Sequence, residues 1–323
     1  MREVKRMSSL YFLVQQTMFF SIPLLVVALG AMFSERSGVV NIALEGIMIM
    51  GGFASLFTIN ALQGVLQGQG LLLIGVVVAI LAGVIFSLLH AYASVNMKAD
   101  QVISGTALNM FAPAFAIFVA RTIQGTKDIH FINTFRIESV PLLGEIPVIG
   151  QLFFQNTYIT TYLGILILIV SAFVLYKTKF GLRLRACGEH PQAADSVGIS
   201  VYKIRYAGVL ISGGLAGLGG LIFVVPISTA FTASVSGYGF LALAVLIFGQ
   251  WKPKRIFYAA FFFGFLKTIS AAYSGIPILK DLDISSGIYK MIPYIATLVV
   301  LAISSKNSQS PKAAGTPYDV SKR

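Results

Sequence analysis

KTKFGLRLRACGEHPQAADSVGIS, residues 177–200, is a polar segment held between two apolar runs, Tyr158–Tyr176 and Tyr206–Val225. Each run is long enough to cross a hydrocarbon core of about 30 Å as a helix, so the segment joins two membrane crossings. Four cations open it: Lys177, Lys179, Arg183 and Arg185. Gly188-Glu189-His190 then turns the chain into Pro191, which suits the first turn of a helix because its missing N–H has no partner there anyway. Gln192, Ala193, Ala194, Asp195, Ser196 and Val197 continue to Gly198, a good C-terminal stop. The pattern predicts roughly two turns of helix with Ala193, Ala194 and Val197 on one face. Small apolar residues on an exposed helix suit docking into a groove of another protein; by composition alone, a solvated basic loop fits as well.

The rest of the chain is mostly membrane. Of 323 residues, 56% are hydrophobic and only 11% charged, against roughly 25% charged in a soluble domain. The fold class is therefore all-α and polytopic, with about eight to ten transmembrane helices, some broken or re-entrant. Residues 1–305 read as one transmembrane domain and 306–323, rich in Pro and Ser, as a disordered tail. The net charge of +12 follows from basic residues flanking membrane spans and is no sign of nucleic-acid binding. A single cysteine, Cys187, excludes an internal disulfide framework.

Several runs carry irregularities. Leu10–Met32 is free of charge and holds Pro23, which predicts a kink; Val39–Leu62 is interrupted by Asn41 and Glu45. Leu71–Ser94 is a clean span, and Thr106–Ala120 is short unless it begins near Val102. Arg121–Thr157 has balanced charges, with prolines and glycines that predict an ordered loop. Gly213 with Gly217, and Ala216 with Gly220, make small-xxx-small pairs that admit a neighbouring helix at close range. Beyond Pro226 the short apolar core and Gly237 and Gly239 predict a broken or tilted helix. Ile256–Ser274 contains Lys267, a loop runs through Pro277 and Asp283, and Ile288–Ser304 is the last span.

Most of the 24 Lys and Arg residues fall in four segments: the N-terminus, Lys177–Arg205, Lys252–Arg255 and the tail. The positive-inside rule puts all four, and hence both termini, in the cytoplasm. Arg121–Thr157 then lies outside, which requires an odd number of crossings before it, although four apolar runs precede it. Val39–Leu62 is the run expected to fail, because Asn41, Glu45 and paired glycines are costly in lipid and tolerated in a re-entrant or broken helix. That arrangement puts Lys98 and Asp100 inside and the Ser34–Gly38 turn outside.

FGLRLRACGEHPQAADSVGI (180–199) resembles the cytoplasmic coupling loop of prokaryotic ABC-importer permeases, in particular the family that serves branched-chain amino acids, ribose and nucleosides. SERSGVVNIALEGIMIMGGF (34–53) and MKADQVISGTALNMF (97–111) are similar to two further segments of that family. The wording is nearest to the shorter of the two permeases in nucleoside-type systems. Gln192 stands where the general importer loop has Glu. The resemblance implies contact with a cytoplasmic ABC ATPase through Arg183, Arg185, Gly188, Glu189, Pro191, Gln192, Ala193, Ala194, Asp195 and Gly198. It implies a second, homologous permease, an extracytoplasmic substrate-binding protein facing Arg121–Thr157, and a small polar solute. No GxxxxGK[ST] pattern occurs, so no cofactor is expected in this chain; ATP and Mg would be bound by the partner ATPase.

Candidate path residues are polar groups in apolar settings: Asn41, Glu45, Ser104 and Asn109. Asn41 and Glu45 share a helical face if that stretch is helical. Glu45 either lines a pore or accepts backbone N–H groups at a helix break; Ser104 and Asn109 either meet solute or bond a neighbouring helix. Lys267 either pairs with Glu45 or Asp283 or snorkels to an interface. His90, His130 and His190 have no metal-ligand spacing. An ion-coupled secondary transporter is the rival class, weakened by having only Glu45 as an intramembrane acid. Ribose, other simple sugars and branched-chain amino acids are the rival solutes.

Overall fold

The computed structural model of the chain describes residues 2–273, 285–304 and 310–319. The loop through Pro277 and Asp283 lies outside them. Eleven α-helices are described: α1 Arg2–Arg36, α2 Leu44–Leu62, α3 Gly68–Ala91, α4 Gln101–Gln124, α5 Ile159–Lys177, α6 Lys179–Glu189, α7 Pro191–Ser196, α8 Val201–Ile227, α9 Tyr238–Phe248, α10 Pro253–Ala272 and α11 Ser286–Ser304. Among the described residues, seven are long and apolar enough to cross a membrane, and α9 and α11 add two shorter apolar segments.

The centre is built from α1 and α8, which are apolar all round and therefore buried all round. From Ile22 to Phe33 the side chains of α1 are almost wholly enclosed, and the helix continues through Pro23 without interruption. Glycines let α2, α3 and α8 approach backbone to backbone. A Cβ at Gly217 would strike the carbonyl of Ala79, one at Gly213 the side chain of Ser87, and one at Gly220 the carbonyl of Met48. Both small-residue pairs predicted on α8 thus sit at helix contacts, where dispersion replaces a hydrophobic driving force. Large apolar side chains on α3, α4 and α5, such as Ile85, Phe118 and Phe173, point outward, as on a lipid-facing shell.

Contacts sort the chain into two faces. On the loop face, Gln15 near the start of α1 donates to the carbonyl of Gln151 at 2.8 Å. Gln69 at the start of α3 donates to Phe135 O at 2.8 Å, and Gln124 at the end of α4 donates to Asn60 near the end of α2. On the basic face, Arg36 at the end of α1 meets Glu189 (3.7 Å) and Lys98 meets Asp319 (3.0 Å).

These contacts correct three expectations. The first part of α1, at Gln15, lies on the loop face, opposite Lys177–Arg205, rather than on the same side as that segment. The Ser34–Gly38 turn lies on the basic face, where a Cβ on Gly188 would strike the carbonyl of Arg36. Finally, Val39–Leu62 does not fail to cross: α2 is unbroken from Leu44, and the break falls before it, at residues 37–43. With α1 starting on the loop face, all four runs cross and the parity conflict disappears.

Two short antiparallel pairings tie the loop face. β1 (Ile129–His130) pairs with β4 (Ala230–Phe231), and β2 (Ile137–Ser139) with β3 (Gln155–Thr157). The Arg121–Thr157 loop is ordered, as its prolines and glycines predict. Residues 228–237 are non-helical apart from β4, so the broken helix expected beyond Pro226 is present.

The tail differs from expectation. Residues 310–319 do not hang free: Ala313 N donates to Gly188 O at 2.8 Å, and Tyr318 packs with Cys187, Ala194 and Val201.

Candidate functional site: the basic face and the helix breaks

The Thr178 hydroxyl caps α6 by accepting from Gly181 N at 3.1 Å. A side chain at Gly181 would strike the carbonyls of Val174 and Leu175, so glycine permits the tight turn from α5. α6 buries Gly181, Leu184, Cys187 and Gly188 and leaves Leu182, Arg183 and Glu189 outward. Arg185 lies over the Tyr176 ring at 5.5 Å. The predicted short helix follows as α7, with Pro191 at its start and Gly198 at φ +82°, a left-handed stop suited to glycine. Gly198 N donates to Asp195 O at 2.9 Å, and Ile199 N to Ala194 O.

The face of α7 expected to point outward needs correction. Ala193 is exposed, but Ala194 is only 4% exposed and faces Cys187 and Tyr318. Pro191 is buried too; Gln192, Ala193, Ser196 and Val197 point outward, with Val197 73% exposed. Ala194 is thus the anchor of α7, and Gln192, Ala193, Ser196 and Val197 form its exposed side. With Leu182, 62% exposed on α6, the cap carries apolar side chains away from the lipid shell. Burial pushes the Cys187 thiol up to about 11, which leaves it inert at neutral pH.

What anchors this cap was not visible in the sequence. Arg205, which reads there as one more surface cation, is 1% exposed at the start of α8. It donates to Thr316 O at 3.0 Å and lies 5.9 Å from the Tyr318 ring. Gly38, at φ +99°, leaves room for its guanidinium. The cap is therefore clamped between the end of α1, the start of α8 and the tail. A buried cation beginning an apolar run was the available signal, since such a charge must find acceptors.

The candidate path residues cluster at the break before α2, and they bond to protein. Val40 N donates to Gln101 Oε1 (2.7 Å), and Ala43 N to Asn41 Oδ1 (3.1 Å). Asn41 Nδ2 donates to Ser212 Oγ of α8 at 2.9 Å. Asn109 closes the far side: its Oδ1 accepts from Gly46 N (2.7 Å) and its Nδ2 donates to Ile42 O (2.8 Å). His90 Nε2 lies 3.0 Å from Val40 O, which can only accept, so the imidazole carries its proton there and Nδ1 accepts from Ser104 Oγ at 3.0 Å.

Glu45 caps a half-helix. Its Oε1 accepts from Gly237 N (2.8 Å) and its Oε2 from Gly239 N (2.6 Å), at the N-terminus of α9. Lys267 does not reach it: the ammonium sits 5.6 Å from the Tyr238 ring and 5.4 Å from the Tyr294 ring. Its other expected partner, Asp283, lies outside the described residues. Asn41, Ser104 and Asn109 thus share one bonded network, with Glu45 at its edge toward α9.

A family profile described as "Branched-chain amino acid transport system / permease component" matches residues 13–302. The guanosine ABC transporter permease protein NupQ of Bacillus subtilis is 44% identical over 96% of this chain and 97% of its own. The nucleoside ABC transporter permease protein NupC of Lactococcus lactis subsp. cremoris is 40% identical over 98% of this chain and 99% of its own. The nucleoside ABC transporter permease protein NupB of that same organism is 24% identical over 90% and 81%. No solved structure matches the chain.

Proposed function

We propose that this chain, which belongs to the permease-component family of branched-chain amino acid transport systems, is a membrane-spanning subunit of an ABC importer for nucleosides. The observation that carries the solute is likeness over nearly the whole length to permeases named for guanosine and nucleosides. The basic face lies in the cytoplasm, in keeping with the positive-inside rule for Lys177–Arg205 and Lys252–Arg255, and the N-terminus lies outside.

An ABC ATPase docks on α6 and α7 through Leu182, Arg183, Gln192, Ala193 and Val197. ATP and Mg belong to that partner, and this chain is a translocation subunit with no catalytic role. Because α7 is short and its inner side is clamped, a push on Val197 moves the cap as one body. Gly188 lies against Arg36, and Arg205 sits in the second turn of α8, so the push enters both central helices. A second permease completes the path. The greater likeness to NupC than to NupB supports a distinct homologue rather than a second copy. A binding protein delivers solute at the Arg121–Thr157 face.

The test is uptake of labelled guanosine into proteoliposomes holding the chain with its partner ATPase, second permease and binding protein. Uptake should require ATP, survive collapse of ion gradients, and be competed by other nucleosides but not by leucine, ribose or glucose. Ala193→Arg should abolish uptake with the assembled membrane protein intact. Uptake that follows an ion gradient instead would establish a secondary transporter.

A further inference from the structure

Between α8 and α9 the chain runs without a helix from β4 on the loop face inward to Glu45. Its depth is set by α2: Phe231 lies against Gly52, and Gly237 and Gly239 reach Glu45 at the start of that helix. Residues 231–237 therefore lie alongside the first half of a membrane-crossing helix. Burial alternates along them. Phe231, Ala233 and Val235 are buried, whereas Thr232, Ser234 and Ser236 are exposed, so one face of the segment points inward.

This outward face is polar and unsatisfied. Among the described residues, the N–H groups of Thr232, Ala233, Ser234 and Val235 find no acceptor, and the hydroxyls of Thr232 and Ser236 no partner. Ser234 Oγ accepts from Ser236 N at 3.2 Å. Lipid cannot cover such a segment, because each unmet backbone group costs several kcal/mol in hydrocarbon; non-helical backbone at this depth lines water or protein. Ala233 at φ +55° and Ser236 at φ +53° also hold a conformation disfavoured for side-chain-bearing residues. The neighbouring carboxylate, Glu45, is engaged by Gly237 and Gly239, so the strip presents neutral donors and acceptors. One turn on, Phe240 is 51% exposed.

We propose that Thr232, Ser234 and Ser236, with the free N–H groups between them, form the solute-contacting strip of the path, bonding the sugar hydroxyls of a nucleoside while Phe240 stacks on its base. This assignment rests on the nucleoside reading above. Hydroxyls and N–H groups offer both donors and acceptors, which a polyhydroxylated neutral ring can satisfy, and an aromatic face accepts any nucleobase. None of these residues was singled out from the sequence.

The experiment compares guanosine with 2′,3′-dideoxyguanosine uptake in the reconstituted transporter, in wild type and in a Thr232→Val, Ser234→Ala, Ser236→Ala triple variant. With neutral hydrogen bonds at their usual strength, the triple variant should raise the KM for guanosine on the order of tenfold. The preference for guanosine over the dideoxy analogue should collapse, with binding-protein affinity unchanged. If the triple variant fails to insert, Ser236→Gly, which suits the positive φ, replaces Ser236→Ala. In parallel, Ser234→Cys in a Cys187→Ala background should react with a water-soluble maleimide in the assembled transporter, and guanosine should slow that reaction. Wild-type KM and preference in the triple variant, or a Ser234→Cys thiol that never reacts, overturns the strip while leaving the nucleoside importer standing. A wild-type transporter that moves no nucleoside overturns the substrate reading and the strip with it.

Discussion

Residues 37–43, beside the basic face, and 228–237, running inward from the loop face, both lack a helix, yet they treat their polar groups in opposite ways. In the first, Asn41, Gln101, Asn109 and His90 bond the broken backbone from three sides, and Asn41 is fully buried. In the second, the N–H groups from Thr232 to Val235 find no acceptor among the described residues, and the hydroxyls point outward. A closed break is an architectural joint; an open one needs water or solute to complete it. Glu45 stands between them, rooted in α2 and capping α9.

The largest effect should come from opening the closed break. Asn109→Leu leaves Gly46 N and Ile42 O without partners, at about 1–3 kcal/mol for each buried group. The detergent-solubilised protein should melt well below wild type, and an unchanged melting temperature would show that the joint does not depend on Asn109. Next comes Glu45→Ala, which frees two N–H groups at the N-terminus of α9 and should cost about 1–2 kcal/mol. Glu45→Gln keeps one acceptor oxygen and should lose less; equal melting of the two variants would mean that capping is not the role of Glu45.

A third test asks whether the basic face belongs with the closed type. Tyr318→Ala should release the tail and raise maleimide labelling of Cys187, on the order of tenfold for a local opening eased by about 1.4 kcal/mol. Equal labelling would mean that the tail does not shield the thiol. The smallest stability effect is expected in the open break, where Ser234→Ala should shift the melt by no more than about 0.5 kcal/mol. A large loss there would class residues 232–236 as a second joint.

Much of this architecture was legible. Apolar runs marked the crossings, Gly213, Gly217 and Gly220 marked close helix contacts, and Pro191 and Gly198 bracketed α7, because each of these signals is local. The face on which α1 starts differs from the one expected. Arg2, Lys5 and Arg6 weigh like any basic cluster in a count, whereas the packing of α1 between α8 and the Arg121–Thr157 loop sets its direction. Ala193 and Ala194 were indistinguishable for the same reason: a six-residue helix has too little periodicity to declare its inner side, and the tail that covers Ala194 lies far along the chain. The alternation of Thr232, Ser234 and Ser236 was present but lay under the stronger signal of a helix broken by glycines.

By itself, the sequence determined which segments are apolar enough to enter the membrane, where helices stop or touch, and that polar residues in apolar runs call for partners, because hydropathy, glycine geometry and desolvation act residue by residue. Tertiary structure alone decided the partners. Asn109 finds Gly46 across 63 residues, Arg205 finds Thr316 across 111, and Glu45 finds Gly237 across 192. No local pattern encodes such pairings. They follow once the glycine seam has brought α2, α3 and α8 together and fixed which polar groups are left facing one another.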